Sequence, residues 1–460
     1  YDRGGRPVEI VDAEGGLTVI TYELGGRIAS VTSPAGRITR YTYDACGRLA
    51  SSIDAAGAET RYEYNADSLV SAIVGPTGEV SRFEYDACGR IARREVPGEG
   101  VSRTSYDLMG RIVFTQDSRL GQRRFSYDAG GQMVTATNGL GGVTRFEHDE
   151  LGRITSITDP LGGVTRRGYD RLGRVTSNTD PLGRTTTASY DADGRQLTQT
   201  DAEGRVTEWQ YNEQGSLAAT LIDGVEMARV ERDNRNRVQT VRDTTGNGRA
   251  VSHTLRYDRL GRLIERARDE QAMRWEYDAD GLRRAQVDPS GTRVEYDYDA
   301  AGRLLRTRHP QLGEASYEYD AFGRLVSART GDTQQLWQYE RGYVAKHTRM
   351  DASGVHSTDI ARDDSGRVVR VSNGGTSVTY GYDDACQLVS ASTASSTHRW
   401  SYDPAGRLIE ETQDGATRAY RYDAAGQLLS ERSSDGRLNE YSYDALGRRT
   451  SEKCGEDRAI

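Results

Sequence analysis

The residues of this chain best suited to chemistry are its carboxylates and its histidines. Aspartates recur in Asp-x-x-Gly clusters, some followed by proline, as at Asp159-Pro160, Asp180-Pro181 and Asp288-Pro289. A self-cleaving acid–base pair would need two carboxylates so close that one stays protonated. These Asp-Pro pairs instead fall at a regularly recurring turn position, which accounts for them without catalysis. Asp191-Ala-Asp193-Gly and Asp278-Ala-Asp280-Gly faintly resemble calcium loops but lack the further oxygen ligands and the closing Glu. The histidines, His148, His253, His309, His347, His356 and His398, show neither ligand spacing nor a cysteine partner. There is no nucleophile elbow and no phosphate loop. No catalytic, cofactor-binding or metal-ligating residue is expected, and no cofactor.

What positions these residues is a repeat. Tyr169 to Ser189, YDRLGRVTSNTDPLGRTTTAS, holds Tyr-Asp, then Gly-Arg, a β-prone run, Asp-Pro-Leu-Gly, and a second β-prone run that delivers the next Tyr-Asp. The first residues of successive copies run from Tyr1 through Tyr22, Tyr43 and Tyr64 to Tyr211 and Arg232 at a spacing of 21, with His148 standing in for one tyrosine. After Arg232 the interval loosens to 20 to 25 residues through Tyr257, Tyr298, Arg362 and Tyr402 to Tyr443, for 22 repeats in all. Period and motif agree over the full chain, so a repeat array overrides the two or three domains that 460 residues would otherwise suggest. The expected organisation is one β-repeat segment over 1–460, strict over 1–231 and looser over 232–460, with no separate catalytic domain.

Each repeat carries two turn signals with Asp first and Gly fourth, as in Asp170-Arg171-Leu172-Gly173 and Asp180-Pro181-Leu182-Gly183. Asp can accept bonds from backbone ahead of it, and Gly tolerates the left-handed conformation of a bulged hairpin. The runs between turns are rich in Val, Ile, Thr and Tyr, which predicts two antiparallel strands per repeat, 44 in total. Two residues before the motif Tyr stands a large apolar side chain in most repeats, such as Tyr41, Phe125 or Trp209, and six after it a branched aliphatic, such as Leu49 or Ile154. A spacing of two puts the aromatics on one strand face and Thr, Ser, Arg and Glu on the other. In-register stacking would set the aromatics in ladders worth roughly 0.2–1 kcal/mol per pair. Laid flat, so many strands would span about 210 Å, and sheet twist should coil the ribbon instead.

Composition agrees with a thin, wetted β structure. Apolar residues are 35% and charged residues 28%, with 52 Gly and 27 Tyr. A net charge of -8 argues against a nucleic-acid partner. Paired arginines such as Arg93-Arg94, Arg123-Arg124 and Arg166-Arg167 read as solvated strand positions. Cys46 and Cys88 occupy equivalent turns two repeats apart and Cys386 a matching one, so no disulfide framework is expected. No apolar run is long enough for a membrane span and no signal segment is seen. The chain opens in mid-pattern, so it reads as a piece of a longer protein.

Tyr43-Asp-Ala-Cys-Gly-Arg-Leu49 and Tyr443-Asp-Ala-Leu-Gly-Arg448, with Asp-Pro-x-Gly between copies, resemble the Rhs/YD-repeat family over essentially the whole chain. That family includes bacterial Rhs polymorphic toxins, the B/C components of insecticidal Tc complexes, and teneurins. The resemblance implies an all-β hairpin array wound into a spiral hollow shell, or cocoon. Regular repeats without disulfides look more like the bacterial branch, whose shell encloses a C-terminal toxin polypeptide. The core-associated aspartates that cleave off the toxin have no counterpart in this sequence, so no catalytic residue carries over. The structural motif residues are Tyr43, Asp44, Gly47 and Arg48; Tyr169, Asp170, Gly173 and Arg174; Tyr298, Asp299, Gly302 and Arg303; and Tyr443, Asp444, Gly447 and Arg448. The resemblance implies a non-enzymatic wall segment of a secreted toxin, made in a bacterial cytoplasm and exported. Its partners would be the enclosed toxin polypeptide and secretion-spike or Tc-type delivery proteins. The alternative is an extracellular adhesion protein using Trp and Tyr rows to bind glycans or cells.

Overall fold

The computed structural model describes residues 1–460 except 118–120, 245–249, 270 and 457–460. The run Asp243-Thr-Thr-Gly-Asn-Gly248 in the 25-residue repeat, whose glycines suggest an extended hairpin loop, lies mostly outside the described residues. The described residues form 43 β-strands and no helix. The difference from 44 arises in the last repeat, which contributes a single strand, Arg449–Glu456.

Each repeat folds as two strands because its two turn signals work as expected. After the strand Ile38–Tyr43 the chain reverses at Asp44–Gly47, and Leu49–Ile53 returns antiparallel with Arg40 opposite Ile53. The next reversal, Asp54–Ala58, leads to Glu59–Tyr64, with Ser51 opposite Arg61. The register slips by one residue between Thr42 and Tyr43, and the same slip recurs at Glu63/Tyr64, Gly168/Tyr169 and Ser442/Tyr443. This bulge comes just before these motif turns, and it re-aims the Tyr at the strand end. Gly47 takes φ 85°, in the left-handed region that glycine adopts without strain. Where the motif lacks glycine, Ser68, Asn236 and Cys386 hold the same position at φ 64°, 62° and 62°.

The chain divides into two compact units, one of Tyr1–Glu99 with Arg229–Asp359 and one of Gly100–Ala228 with Ile360–Ile460. Each unit therefore contains two ribbons separated by more than a hundred residues of sequence. Within each unit, the turns between repeats (connectors) of the earlier ribbon lie against the motif turns of the later one. All 43 strands belong to one sheet. Among the described residues the buried apolar side chains are small, Ala72, Ala219, Val251 and Ala285, and no large side chain is fully buried. With no thick core, stability must come from the ladders, the turn networks and the contacts between ribbons.

The loosened spacing after Arg232 has a structural cause. The strict repeats mostly carry five-residue connectors, such as Asp54–Ala58, Asp159–Gly163 and Asp180–Arg184. The 20-residue repeats from Tyr319, Arg362 and Tyr402 close instead on the two-residue hairpins Gly331-Asp332, Gly374-Gly375 and Asp414-Gly415. Both residues of these last two hairpins have positive φ, as the favoured two-residue hairpin turn requires.

Candidate functional site

The motif residues form one network repeated along each ribbon. In Tyr169–Arg174, Asp170 Oδ1 accepts bonds from the backbone N–H of Leu172 at 2.9 Å and of Arg174 at 3.0 Å, while Arg174 Nε donates to Asp170 Oδ2 at 2.6 Å. The Tyr169 hydroxyl donates to the carbonyl of Ile154 at 2.6 Å, fifteen residues back in the preceding repeat. Arg153 of that preceding repeat lies over the Tyr169 ring at 4.8 Å, and Arg174 lies over Tyr190 at 4.9 Å. Each Arg thus joins its own Asp to the next repeat's Tyr.

The other motif copies place their residues alike. Tyr43 donates to Ile28 O at 2.9 Å beneath Arg27, and Arg48 pairs with Asp44 at 2.7 Å and covers Tyr64 at 4.4 Å. Tyr298 donates to Arg283 O at 2.8 Å, and Arg303 pairs with Asp299 at 2.6 Å and covers Tyr319 at 5.3 Å. Tyr443 donates to Leu428 O at 2.8 Å, and Arg448 pairs with Asp444 at 2.6 Å. Gly173, Gly302 and Gly447 all have positive φ. The expected ladder of stacked aromatics is corrected here: where the preceding repeat has its Arg, as before Tyr43, Tyr64, Tyr169 and Tyr190, a guanidinium group covers the motif ring. Across the ladder the residue two before each Tyr faces a non-aromatic partner in most strands, as Tyr41 faces Ser52 and Phe146 faces Ile157.

The Arg–Tyr linkage was visible in the sequence as a co-occurrence between neighbouring repeats and was missed. Wherever a repeat has its motif Arg, the next repeat begins with Tyr. The substitutions of that Tyr follow repeats without the Arg: His148 follows Gln132, Arg232 follows Ser216, and Arg362 follows the Tyr339 repeat, which has no Gly-Arg. Arg232 and Arg362 fold back on their own turns, donating to the carbonyls of Asn236 and Gly366 at 3.0 Å each.

Between ribbons the turns meet through charge and small residues. In the first unit, Asp280 Oδ2 accepts from Ser33 Oγ at 2.7 Å and Asp280 Oδ1 from the Ala35 N–H at 2.8 Å. Arg37 pairs with both Asp280 and Asp278. Arg324 pairs with Glu79 at 2.6 Å, and Gly98 N–H donates to Arg341 O at 2.8 Å. The Tyr339 repeat, which departs from the motif, thus contacts another segment of the chain. In the second unit, Asn138 Nδ2 donates to Pro404 O at 2.9 Å and Arg448 pairs with Glu203 at 2.9 Å.

Two grooves lie along these turns. A groove of about 530 Å³ in the first unit is lined by Asp54, Gly75, Glu79, Arg303 and Phe322, and one of about 450 Å³ in the second by Gly163, Asp180, Arg407 and Asp423. Their carboxylates Glu79, Asp180 and Asp423 face arginine or backbone N–H donors. Burial pushes the Asp280 carboxyl up, but hydrogen bonds from Ser33, Ala35 and Arg37 outweigh it and hold it below the ordinary value. A carboxyl so held stays ionised and cannot act as a general acid near neutrality. Asp193, in the other faint calcium loop, pairs with Arg195 at 2.7 Å. All four cysteines are free.

A family model described as Teneurin YD-shell matches residues 1–103 and 168–314, more than half of the chain. The chain belongs to the Rhs/YD-repeat family. The RHS repeat model matches this YD-repeat chain at 127–164, 148–185, 402–438 and 422–459. Among solved structures, a Photorhabdus luminescens Tc holotoxin pore aligns at TM-score 0.62 and 16% identity, over 94% of the YD-repeat chain and 27% of its own. The TcdB2-TccC3 crystal structure aligns at 0.53 and 15% identity, over 99% and 33%. The same complex without its hypervariable C-terminal region aligns at 0.53 and 16%, over 99% and 32%. These likenesses give the fold, an all-β YD-repeat shell, and the chain spans about a third or less of the solved chains it matches. No curated protein sequence matches it.

Proposed function

We propose that this chain is a wall segment of a bacterial Rhs-type secreted toxin, enclosing a C-terminal toxin polypeptide until delivery. The observation that carries the reading is the docking of connector turns on motif turns within each unit, which joins one ribbon to the next. A wall so built isolates what lies behind it by sterics alone. The YD-shell match and the fold shared with Tc toxin components support the same role. Delivery would fall to a secretion spike, as in type VI secretion and interbacterial competition, or to Tc-type proteins.

The test is limited proteolysis of a longer protein carrying this segment and its downstream sequence. A protected C-terminal fragment is expected, released to digestion when the ribbons are parted by Arg37→Glu and Arg324→Glu together. Rapid digestion of that fragment in the unaltered protein would sink the reading.

A further inference from the structure

One row of charges in the second unit takes no part in the networks above. Arg103, Arg124, Arg145 and Arg166 stand three residues before the first residue of four successive motifs, in strands Gly100–Tyr106, Gly121–Tyr127, Val143–His148 and Val164–Tyr169. All four are exposed. Phe114 faces both Ser105 and Arg124, Thr135 faces both Ser126 and Arg145, and Ser156 faces both Glu147 and Arg166. Directly opposed residues share a face, so the four guanidinium groups lie on one side of the sheet. Phe125 and Phe146, next to two of them in sequence, lie on the other. Each Arg is two strands and two residues from the next, a separation of about 12 Å.

The row is uncompensated. Among the described strand residues on this face between Gly100 and Thr179, Glu147 is the one carboxylate facing four arginines. Its other neighbours carry no charge, among them Phe114, Gln116, Thr135, Thr137, Ser156 and Thr158. Arg103, Arg145 and Arg166 have no ion-pair partner among the described residues, and Arg124 lies over Phe114 at 5.4 Å. The equivalent Arg40, Arg61 and Arg82 of the first unit share their face with Glu59, Glu63, Glu84 and Glu95. An exposed like-charged row costs free energy through self-repulsion, and no ion pair among the described residues offsets it at Arg103, Arg145 or Arg166.

We propose that this face binds an extended acidic polypeptide. Carboxylates three or four residues apart in an extended chain are about 10–13 Å apart, which matches the row. A single-stranded nucleic acid would call for a series of stacking rings, and here Phe114, the ring on this face, is already under a guanidinium. Taken with the wall function, on which this part rests, the face is the one turned to the enclosed polypeptide, and that polypeptide presents acidic segments to it.

The test uses the 460-residue chain with a labelled poly-L-glutamate of about 20 residues, followed by fluorescence anisotropy at low and physiological salt. Binding is expected, weakened by added salt and reduced about tenfold or more in the variant R103Q/R124Q/R145Q/R166Q. The control R123Q/R167Q/R399Q/R421Q removes equal charge elsewhere and should bind as the parent does, with circular dichroism reporting the fold of both. Equal loss in the two variants, no binding at low salt, or tighter binding of a labelled oligo-dT of matched charge each overturns the proposal. Failure here with the C-terminal fragment still protected from protease would remove this face's role and leave the wall function standing.

Discussion

Arg174, like Arg48 and Arg303, serves two repeats at once. It binds Asp170 in its own turn at 2.6 Å and covers the Tyr190 ring at 4.9 Å in the next. An exposed cation–π contact contributes about 0.5–1 kcal/mol and a hydrogen bond about 1 kcal/mol, so the Tyr is favoured mainly where the Arg is present. This accounts for His148, Arg232 and Arg362 arising behind repeats that lack it. Arg174→Gln is expected to lower stability by about 1–2 kcal/mol, read from urea midpoints. Tyr190→His should then cost about 0.5–1 kcal/mol less in the Arg174→Gln background than in the parent. Strict additivity in that double-mutant cycle would refute the linkage.

At the scale of elements, the connectors do more than reverse the chain. A Cβ added to Gly75 would lie 2.2 Å from the Phe322 ring, so this connector is small in order to admit a motif turn of the later ribbon. Gly75→Ala should destabilise the first unit by about 1–3 kcal/mol through overpacking. Phe322→Ala in the same chain should recover part of that loss, and a thermal midpoint that falls further instead would show that the clash is not the cause. Repeat length follows from the same geometry. Five-residue connectors predominate in the earlier ribbons, where they meet a neighbour, and two-residue hairpins are concentrated in the later ones. The sequence displayed this as a change of period at Arg232, but nothing local to a repeat says which of its turns will be covered.

For the whole molecule, the repeated turn gives a collective response to acid. Hydrogen bonds from the following Arg, its backbone N–H first at Asp44, Asp107 and Asp170 and its guanidinium first at Asp86 and Asp149, hold these carboxyls below their ordinary value of 3.8. Folded values below the unfolded one mean that the unfolded chain binds more protons, so the contribution is complete above the ordinary value and is lost as pH falls through the folded ones. The thermal midpoint should therefore stay nearly level from pH 7 to about 5 and fall steeply below about 4. A fall already under way between pH 7 and 5 would contradict the assignment of stability to these turns.

The sequence by itself determined everything that repeats. Tyr-Asp, Gly-Arg and Asp-Pro-x-Gly at a spacing of 21 are local instructions, because each turn is closed by an Asp four residues from the Arg it binds, and each strand pairs with its neighbour in the chain. The Arg–Tyr link was legible too, since it spans one repeat and shows as paired substitutions. Only the tertiary structure decided what joins ribbons more than two hundred residues apart, such as Arg37 with Asp280 or Arg324 with Glu79. Those partners carry no common signature, because their meeting is set by how far the twisted ribbon travels before it comes back alongside itself. The bare arginine face has the same origin: its residues were in view as polar strand positions, but register was needed to bring them onto one side without their acids.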